Sequence, residues 1–443
     1  MDQKTRDNTP LLEPATRSAT AAPLSEQDFS TRRHFLLTGA TALTGIAAGG
    51  MMVRSAQAAD ASATTLPPDI PAWTKTPGAP TGGQLYGKPS EYEKDVIRHL
   101  RPTDKQYLSS STRSPLQDLD GSITPNGLFY ERHHGGVPNI DPAQHRLMIH
   151  GMVKSPLIFT MEELRRFPSH SQIYFLECSG NPGYTVYGKT AAEANGLVSC
   201  AEWTGVKLKT VLDQVGVLPE AKWIIAEGAD AAAMMRSIPM EKCLDDAMLV
   251  YSQNGERLRP EQGYPVRLLV PGYEGNMNIK WLRRLHVTDE PVHSREETSK
   301  YTDLLANGKA REFTFIMEAK SIITAPSGGQ RMAGKGFCEI KGIAWSGHGK
   351  IARVDVSVDG GKTWRQAALQ GQALPKALTR FTLPWEWDGE TAIIQSRATD
   401  ETGYVQPSLE ELVAVRGVHG TYHNNAMTAW RIAQNGEVTN ARL

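Results

Sequence analysis

Ile351-Ala352-Arg353-Val354-Asp355-Val356-Ser357-Val358 runs directly into Asp359-Gly360-Gly361 and then Lys362-Thr363-Trp364. Apolar and polar residues alternate along the first stretch, the period of a strand with one buried face. The Asp-Gly-Gly that follows is the chemistry of a tight hairpin turn. Upstream, Phe337-Cys338-Glu339-Ile340-Lys341-Gly342-Ile343-Ala344-Trp345 alternates in the same way, and further strands are expected at 391–398 and 412–415. Several short strands separated by turn residues predict an immunoglobulin-like sandwich of about 100 residues, which we place at 306–420, with an extension at 421–443.

Toward the N-terminus the pattern changes. Between 121 and 305, short strand-like runs at 146–149, 223–225 and 266–270 are interleaved with helical patterns, which predicts a mixed domain. One helical pattern, at 206–216, ends on Gly216 as a C-cap. Residues 59–120 are rich in Pro, Gly, Ser and Thr and read as an irregular wrap with a helix-like patch at 91–100. The fold class is therefore α+β, a mixed α/β domain followed by an all-β sandwich.

Lys+Arg and Asp+Glu both number 48 in 443 residues. No net field favours nucleic acid or an anionic membrane surface. Thr31-Arg32-Arg33-His34-Phe35-Leu36-Leu37, a weakly apolar stretch and Ala56-Gln57-Ala58 have the parts of a twin-arginine export signal over 1–58, cut after Ala58. Thr38, Gly39, Thr41, Thr44, Gly45, Gly49 and Gly50 make that stretch too polar for a stable membrane span. Export by this route predicts a periplasmic protein that leaves the cytoplasm folded, with no membrane span after cleavage.

The cysteines are Cys178, Cys200, Cys243 and Cys338. With no Cys-x-x-Cys-His there is no covalent c-type haem in this chain, and with no Cys-x-x-Cys there is no zinc-ribbon or paired-cysteine cluster. Spacing leaves open whether Cys200, Cys243 or Cys338 join a disulfide. Cys178 stands apart: Ile173-Tyr174-Phe175-Leu176-Glu177 delivers it into Ser179-Gly180-Asn181-Pro182-Gly183. A strand ending in such a turn presents its last side chain at a sheet rim, beside backbone that a ligand can approach closely.

Several ordered motifs accompany it: Phe129-Tyr130-Glu131-Arg132-His133-His134, Glu227-Gly228-Ala229-Asp230, Gly263-Tyr264-Pro265-Val266-Arg267, Val270-Pro271-Gly272 and Lys280-Trp281-Leu282. In this order, and with the Asp359-Gly360-Gly361-x-x-Trp364 hairpin, the chain from about 125 to 420 resembles the sulfite oxidase family of molybdenum-pterin enzymes. The resemblance implies a molybdenum–molybdopterin cofactor with Cys178 as the metal's protein ligand, a soft thiolate suited to molybdenum already held by two dithiolene sulfurs. It implies that Tyr130, Glu131, Arg132, His133, His134, Asp230, Gln262, Arg267, Asn278, Ile279 and Lys280 bind the cofactor. It assigns catalysis to Arg132, Tyr301 and Arg380, and it implies an oligomer formed through the β domain.

Three departures concern the contacts. Gln262 stands where the family often has histidine. Pro182-Gly183 stands where sulfite-oxidising members usually have an arginine pair, and a tryptophan expected farther on is replaced near Glu193. A less cationic pocket fits a free dianion poorly. Together with the tail from Arg416 to Ala433, it resembles the sulfane dehydrogenase branch of the family, from bacterial thiosulfate-oxidising systems. That branch implies oxidation of sulfane sulfur borne by a carrier protein, with electrons passed singly to a c-type, diheme cytochrome subunit. A sulfite:cytochrome c oxidoreductase and a cofactor-free binding protein on the same scaffold are the alternative readings.

Overall fold

Lys88–Leu443 forms one unit of the chain, in a computed structural model that describes residues 77, 85–100, 108–183, 188–418 and 420–441. The expected export signal, its cut after Ala58, and most of the wrap before 85 lie outside the described residues.

The first domain is built on two five-stranded sheets. One runs in the order Leu157–Phe159, Leu147–Gly151, Leu282–Thr288, Trp223–Gly228, Met235–Pro239. The other runs Glu256–Arg257, Met248–Gln253, Val198–Lys207, His170–Glu177, with Arg267–Leu269 also paired to Met248–Gln253. Only Leu147–Gly151 and Leu282–Thr288 pair in parallel within these sheets. Helix Leu208–Val215 buries Leu208, Val211, Leu212 and Val215, one apolar stripe at helical spacing. It ends where predicted: Gly216 adopts φ 64° and its N–H donates to Leu212 O at 3.1 Å. Val206 and Lys207 close the preceding strand instead of opening the helix.

The second domain is the predicted sandwich. Lys320–Ala325, Gly336–Trp345, Thr379–Trp387 and Ala368–Gln370 form one sheet. Arg365–Gln366, Ile351–Ser357, Ala392–Asp400, Ala429–Ile432 and Val438–Ala441 form the other. Its core, around Trp345, Phe381, Ile394 and Trp430, is continuous with Phe175, Val198 and Cys200 of the first domain.

Four expectations are corrected. Residues 412–415 are helical, within Leu409–Arg416: Ser408 and Glu411 make a reciprocal capping box that starts a helix where an apolar run suggested a strand. The patch at 91–100 is only a 3₁₀ turn, Glu91–Glu93, because Tyr92, Ile97 and Leu100 remain exposed and no packing supports a longer helix. The Asp-Gly-Gly turn is wider than a two-residue hairpin. Asp355 pairs with Gln366 and Val356 with Arg365, and the loop closes on the Asp359 carboxylate, which accepts from the Thr363 N–H (3.0 Å) and hydroxyl (2.6 Å). Finally, the residues expected as an extension supply two strands of the sandwich.

The domains meet at Glu177, fully buried at the end of its strand. Its carboxylate accepts from Lys320 Nζ at 2.9 Å, Trp345 Nε1 at 2.6 Å and Asn181 Nδ2 at 3.0 Å. Lys320, equally buried, also donates to Asn181 O. Close by, Gly272 (φ 78°) and Gly347 pass backbone to backbone: a Cβ on Gly272 would lie 2.3 Å from Gly347 O, so only glycine fits. Removing one partner of a buried pair strands the other charge at a cost of about 3–5 kcal/mol. Lys320→Met is therefore expected to lower stability to urea by about that amount, and Glu177→Gln with Lys320→Met to recover part of it.

Candidate cofactor site

Cys178 follows that strand directly, its N–H donating to Leu197 O at 3.0 Å and its carbonyl accepting from Asn181 N–H at 3.0 Å. Its side chain lines a cleft together with Tyr130, Arg132, His133, His134, Asp230, Gln262, Arg267, Asn278, Ile279, Lys280 and Tyr301. Segments separated by up to some hundred and seventy residues thus converge on one thiol. Burial pushes that thiol's pKa up, and the neighbouring Arg132 pulls it back down.

The hydrogen bonds assign roles. Burial, then Lys280 and Arg132, hold His133 at a pKa of about 3; burial, then Arg132 and Lys280, do the same to His134. Both rings are neutral, so each has one donor and one acceptor nitrogen. His133 Nδ1 accepts from Lys280 Nζ at 2.7 Å, which leaves Nε2–H to donate to Glu131 Oε2 at 2.9 Å. His134 Nδ1 faces Arg132 Nη2 at 3.4 Å, which leaves Nε2–H to donate to the Tyr301 oxygen at 2.7 Å. Tyr301 thereby keeps its own proton for a group in the cleft. Burial raises its phenol pKa, so the proton stays on.

Most of the residues named from sequence are brought together. Lys280 departs in detail: its ammonium donates to Arg132 O (3.0 Å), Glu261 O (3.1 Å) and His133 Nδ1, ordering the site from within. Burial depresses its pKa strongly. Glu131 lies behind the lining, paired with Arg98 and His133. Gln262 donates to Tyr130 O at 3.0 Å. The Asn278 side chain spans Val270 N–H (2.7 Å) and Glu274 O (3.1 Å), and its carbonyl accepts from Arg267 at 3.0 Å. Arg380 is not brought to the site. Its guanidinium donates to Leu119 O at 2.5 Å and to Gly121 O, tying the sandwich to the N-terminal segment.

Pro182 and Gly183 do not line the cleft, and Glu193 turns back to accept from Lys189 N–H at 2.8 Å. The mouth is nevertheless cationic, with Arg132, Arg295 and Lys300 among its lining side chains and no carboxylate among the described residues that line it. All four cysteines are free thiols; burial raises the pKa of Cys200 to about 12 and pushes Cys243 up strongly.

Several lining residues carried no sequence signal of their own. Trp281, Met234 and Asn276 face the cleft and Tyr422 its mouth. Trp281, Asn276 and Tyr422 lie within or beside motifs already singled out, and that proximity was the available clue. Behind them, Glu274 is fully buried; burial alone would raise its pKa, but His423 and Arg236 hold it at about 2.

These residues fit the implied cofactor. A single thiolate suits a metal whose other sulfurs come from a pterin dithiolene. Arg267, held in place by the Gln262 and Asn278 carbonyls, has a buried Nε with no partner among the described residues, an unused donor in the lining. At Gly275, also in the lining, a Cβ would stand 2.8 Å from Glu177 O and 2.9 Å from the Tyr130 hydroxyl, so glycine lets this wall pack directly against the strand that leads into Cys178.

Known proteins agree. Residues 134–296 match the family model "Oxidoreductase molybdopterin binding domain", and 311–429 match "Mo-co oxidoreductase dimerisation domain". Sulfite oxidase of Gallus gallus is 33% identical over 329 residues, 68% of this chain and 71% of that protein. Mitochondrial sulfite oxidase of Mus musculus is 32% identical over 361 residues, 74% of this chain, and the match spans 65% of the mouse protein's length. The chain belongs to the sulfite oxidase family of molybdopterin oxidoreductases. Within it, the chain is similar to the sulfane dehydrogenase SoxCD from Paracoccus pantotrophus. That crystal structure is 48% identical, with a TM-score of 0.83 and coverage of 85% of this chain and 98% of the other.

Because the Glu274 pKa is depressed from 4.5 to about 2, its contribution is complete above 4.5 and is lost as pH falls toward 2. Chemical denaturation across that window is expected to show a loss of roughly 3 kcal/mol from this group, and Glu274→Gln to flatten that part of the acid slope.

Proposed function

We propose that the protein is the molybdenum subunit of a sulfane dehydrogenase, oxidising sulfane sulfur borne by a carrier protein and passing the electrons to a c-type cytochrome partner. The observation that carries this reading is the convergence of Cys178, Arg132 and Tyr301 on one cationic cleft, in a chain with 48% identity to a sulfane dehydrogenase over nearly all of that enzyme's length. The twin-arginine segment supports export to the periplasm. Among the described residues no helix is long and apolar enough to cross a membrane.

Cys178 would hold the molybdenum, and Arg267 and Asp230 would meet the pterin. When bound, the cofactor supplies two-electron oxygen-atom transfer to sulfur and is re-oxidised in single-electron steps. Arg132 holds the negative end of the substrate beside Cys178. Tyr301, its oxygen already occupied by His134 Nε2–H, offers its proton to the reacting group. Neutral His134 keeps that geometry without competing for substrate charge. The β domain, which matches a dimerisation model, would mediate self-association.

The test is a comparison of two substrates with the purified holoenzyme and its cytochrome. A thiosulfate-loaded carrier protein is expected to exceed free sulfite in kcat/KM by about tenfold or more. Faster turnover of sulfite would assign the site to a sulfite:cytochrome c oxidoreductase, and a fully matured protein without molybdenum would leave only a binding role.

A further inference from the structure

Tyr301 sits at φ 51°, in the left-handed region that a bulky residue adopts only under restraint. His134 and the Tyr422 ring, 5.2 Å away between centres, restrain it from the cleft side. From behind it is held by Arg236, a fully buried residue of the strand Met235–Pro239. The guanidinium carbon of Arg236 lies 5.3 Å from the centre of the Tyr301 ring.

The same guanidinium reaches the other half of the site. Its Nη1 donates to Asn276 Oδ1, its Nη2 lies 3.4 Å from Glu274 Oε1, and its Nε lies 3.5 Å from Glu297 Oε1. The Asn276 amide donates to Ser179 Oγ at 3.1 Å and to Glu274 Oε2 at 2.7 Å. His423 meets Glu274 Oε2 through Nε2 at 3.1 Å, while its backbone N–H donates to Ser179 O at 2.7 Å. Ser179 directly follows Cys178. One planar cation therefore touches the tyrosine on one side and, through Asn276, the cysteine turn on the other.

We infer that Arg236 is a positioning residue, which sets the distance between the Cys178 turn and the Tyr301 hydroxyl through its contact with the Tyr301 ring and its bond to Asn276. It touches neither substrate nor cofactor and acts only through the two groups it separates. Lysine replaces it only in part, because a point charge keeps the ion pairs but not the fork that joins Asn276 and Glu274 beside the Tyr301 ring. The inference rests on the proposed roles of Cys178 and Tyr301 in one reaction.

The test is a double-mutant cycle. Arg236→Met and Arg236→Lys are made in the natural sequence and in Tyr301→Phe, and are assayed with the thiosulfate-loaded carrier and with sulfite. Arg236→Met is expected to lower kcat about tenfold with KM and molybdenum content little changed, and Arg236→Lys to fall between. In the Tyr301→Phe background the same changes should cost less than about twofold, because there is no hydroxyl left to position. Equal losses in both backgrounds, or a loss in KM alone, would overturn the inference.

Arg236→Lys keeps Glu274 and Glu297 paired and carries the cycle should Arg236→Met not fold. A crystal structure of Arg236→Lys gives a readout free of turnover: the Tyr301 hydroxyl should leave hydrogen-bond distance of His134 Nε2, and an unmoved Tyr301 contradicts the proposal. If the natural protein oxidises neither substrate, the functional reading fails, while this displacement still decides the role of Arg236.

Discussion

The buried carboxylate of Glu177 is the constraint on which the molecule turns. A carboxylate with no solvent access must find donors, and Glu177 takes them from both domains: Lys320 and Trp345 from the sandwich, Asn181 from its own turn. Since the next residue is Cys178, that arrangement fixes the strand end that carries the thiol and joins the sandwich to it. The shared core of Phe175, Val198 and Cys200 with Ile343 and Trp345 provides the apolar half of the same joint. Although the cleft lies in the first domain, its key residue is held by the second.

Electrostatics in the cleft follow from an excess of buried and half-buried cations. Arg132, Arg267 and Lys280 face Asp230 and Glu261, and burial depresses the pKa of Arg267 and Lys280. Burial first, and these cations second, keep two histidines neutral, and the cations beside them dictate their tautomers. The outcome is a chain of oriented donors, from Lys280 through His133 to Glu131 and from Arg132 through His134 to Tyr301. Such preorganised dipoles suit a cofactor and a substrate that both bring negative charge.

Much of this was legible in the sequence because the site is assembled from contiguous motifs: the run from Tyr130 to His134, the cysteine turn, and the segment ending at Lys280 each contribute several lining residues. The sandwich was legible from alternation and turn residues, apart from its last two strands, Ala429–Ile432 and Val438–Ala441. What could not be read were partnerships between lone residues far apart in the chain. Arg236, Glu274 and His423 form one buried cluster, yet no pattern around Arg236 or Glu274 distinguishes it from a surface residue, and the tail that carries His423 does not point to its partners. Arg380 shows the converse, an arginine placed near the site by resemblance whose donors are spent on the Leu119 and Gly121 carbonyls. The run Leu412-Val413-Ala414-Val415 was ambiguous by composition, and only the Ser408–Glu411 box settles it as a helix.

The central claim is that Cys178 supplies the thiolate that completes the cofactor's metal site. X-ray absorption at the molybdenum edge, on holoenzyme and on Cys178→Ser matured in the same host, tests it most directly. The account predicts a sulfur scatterer beyond the dithiolene pair in the natural protein and its loss in the variant. An unchanged sulfur shell in Cys178→Ser would contradict it.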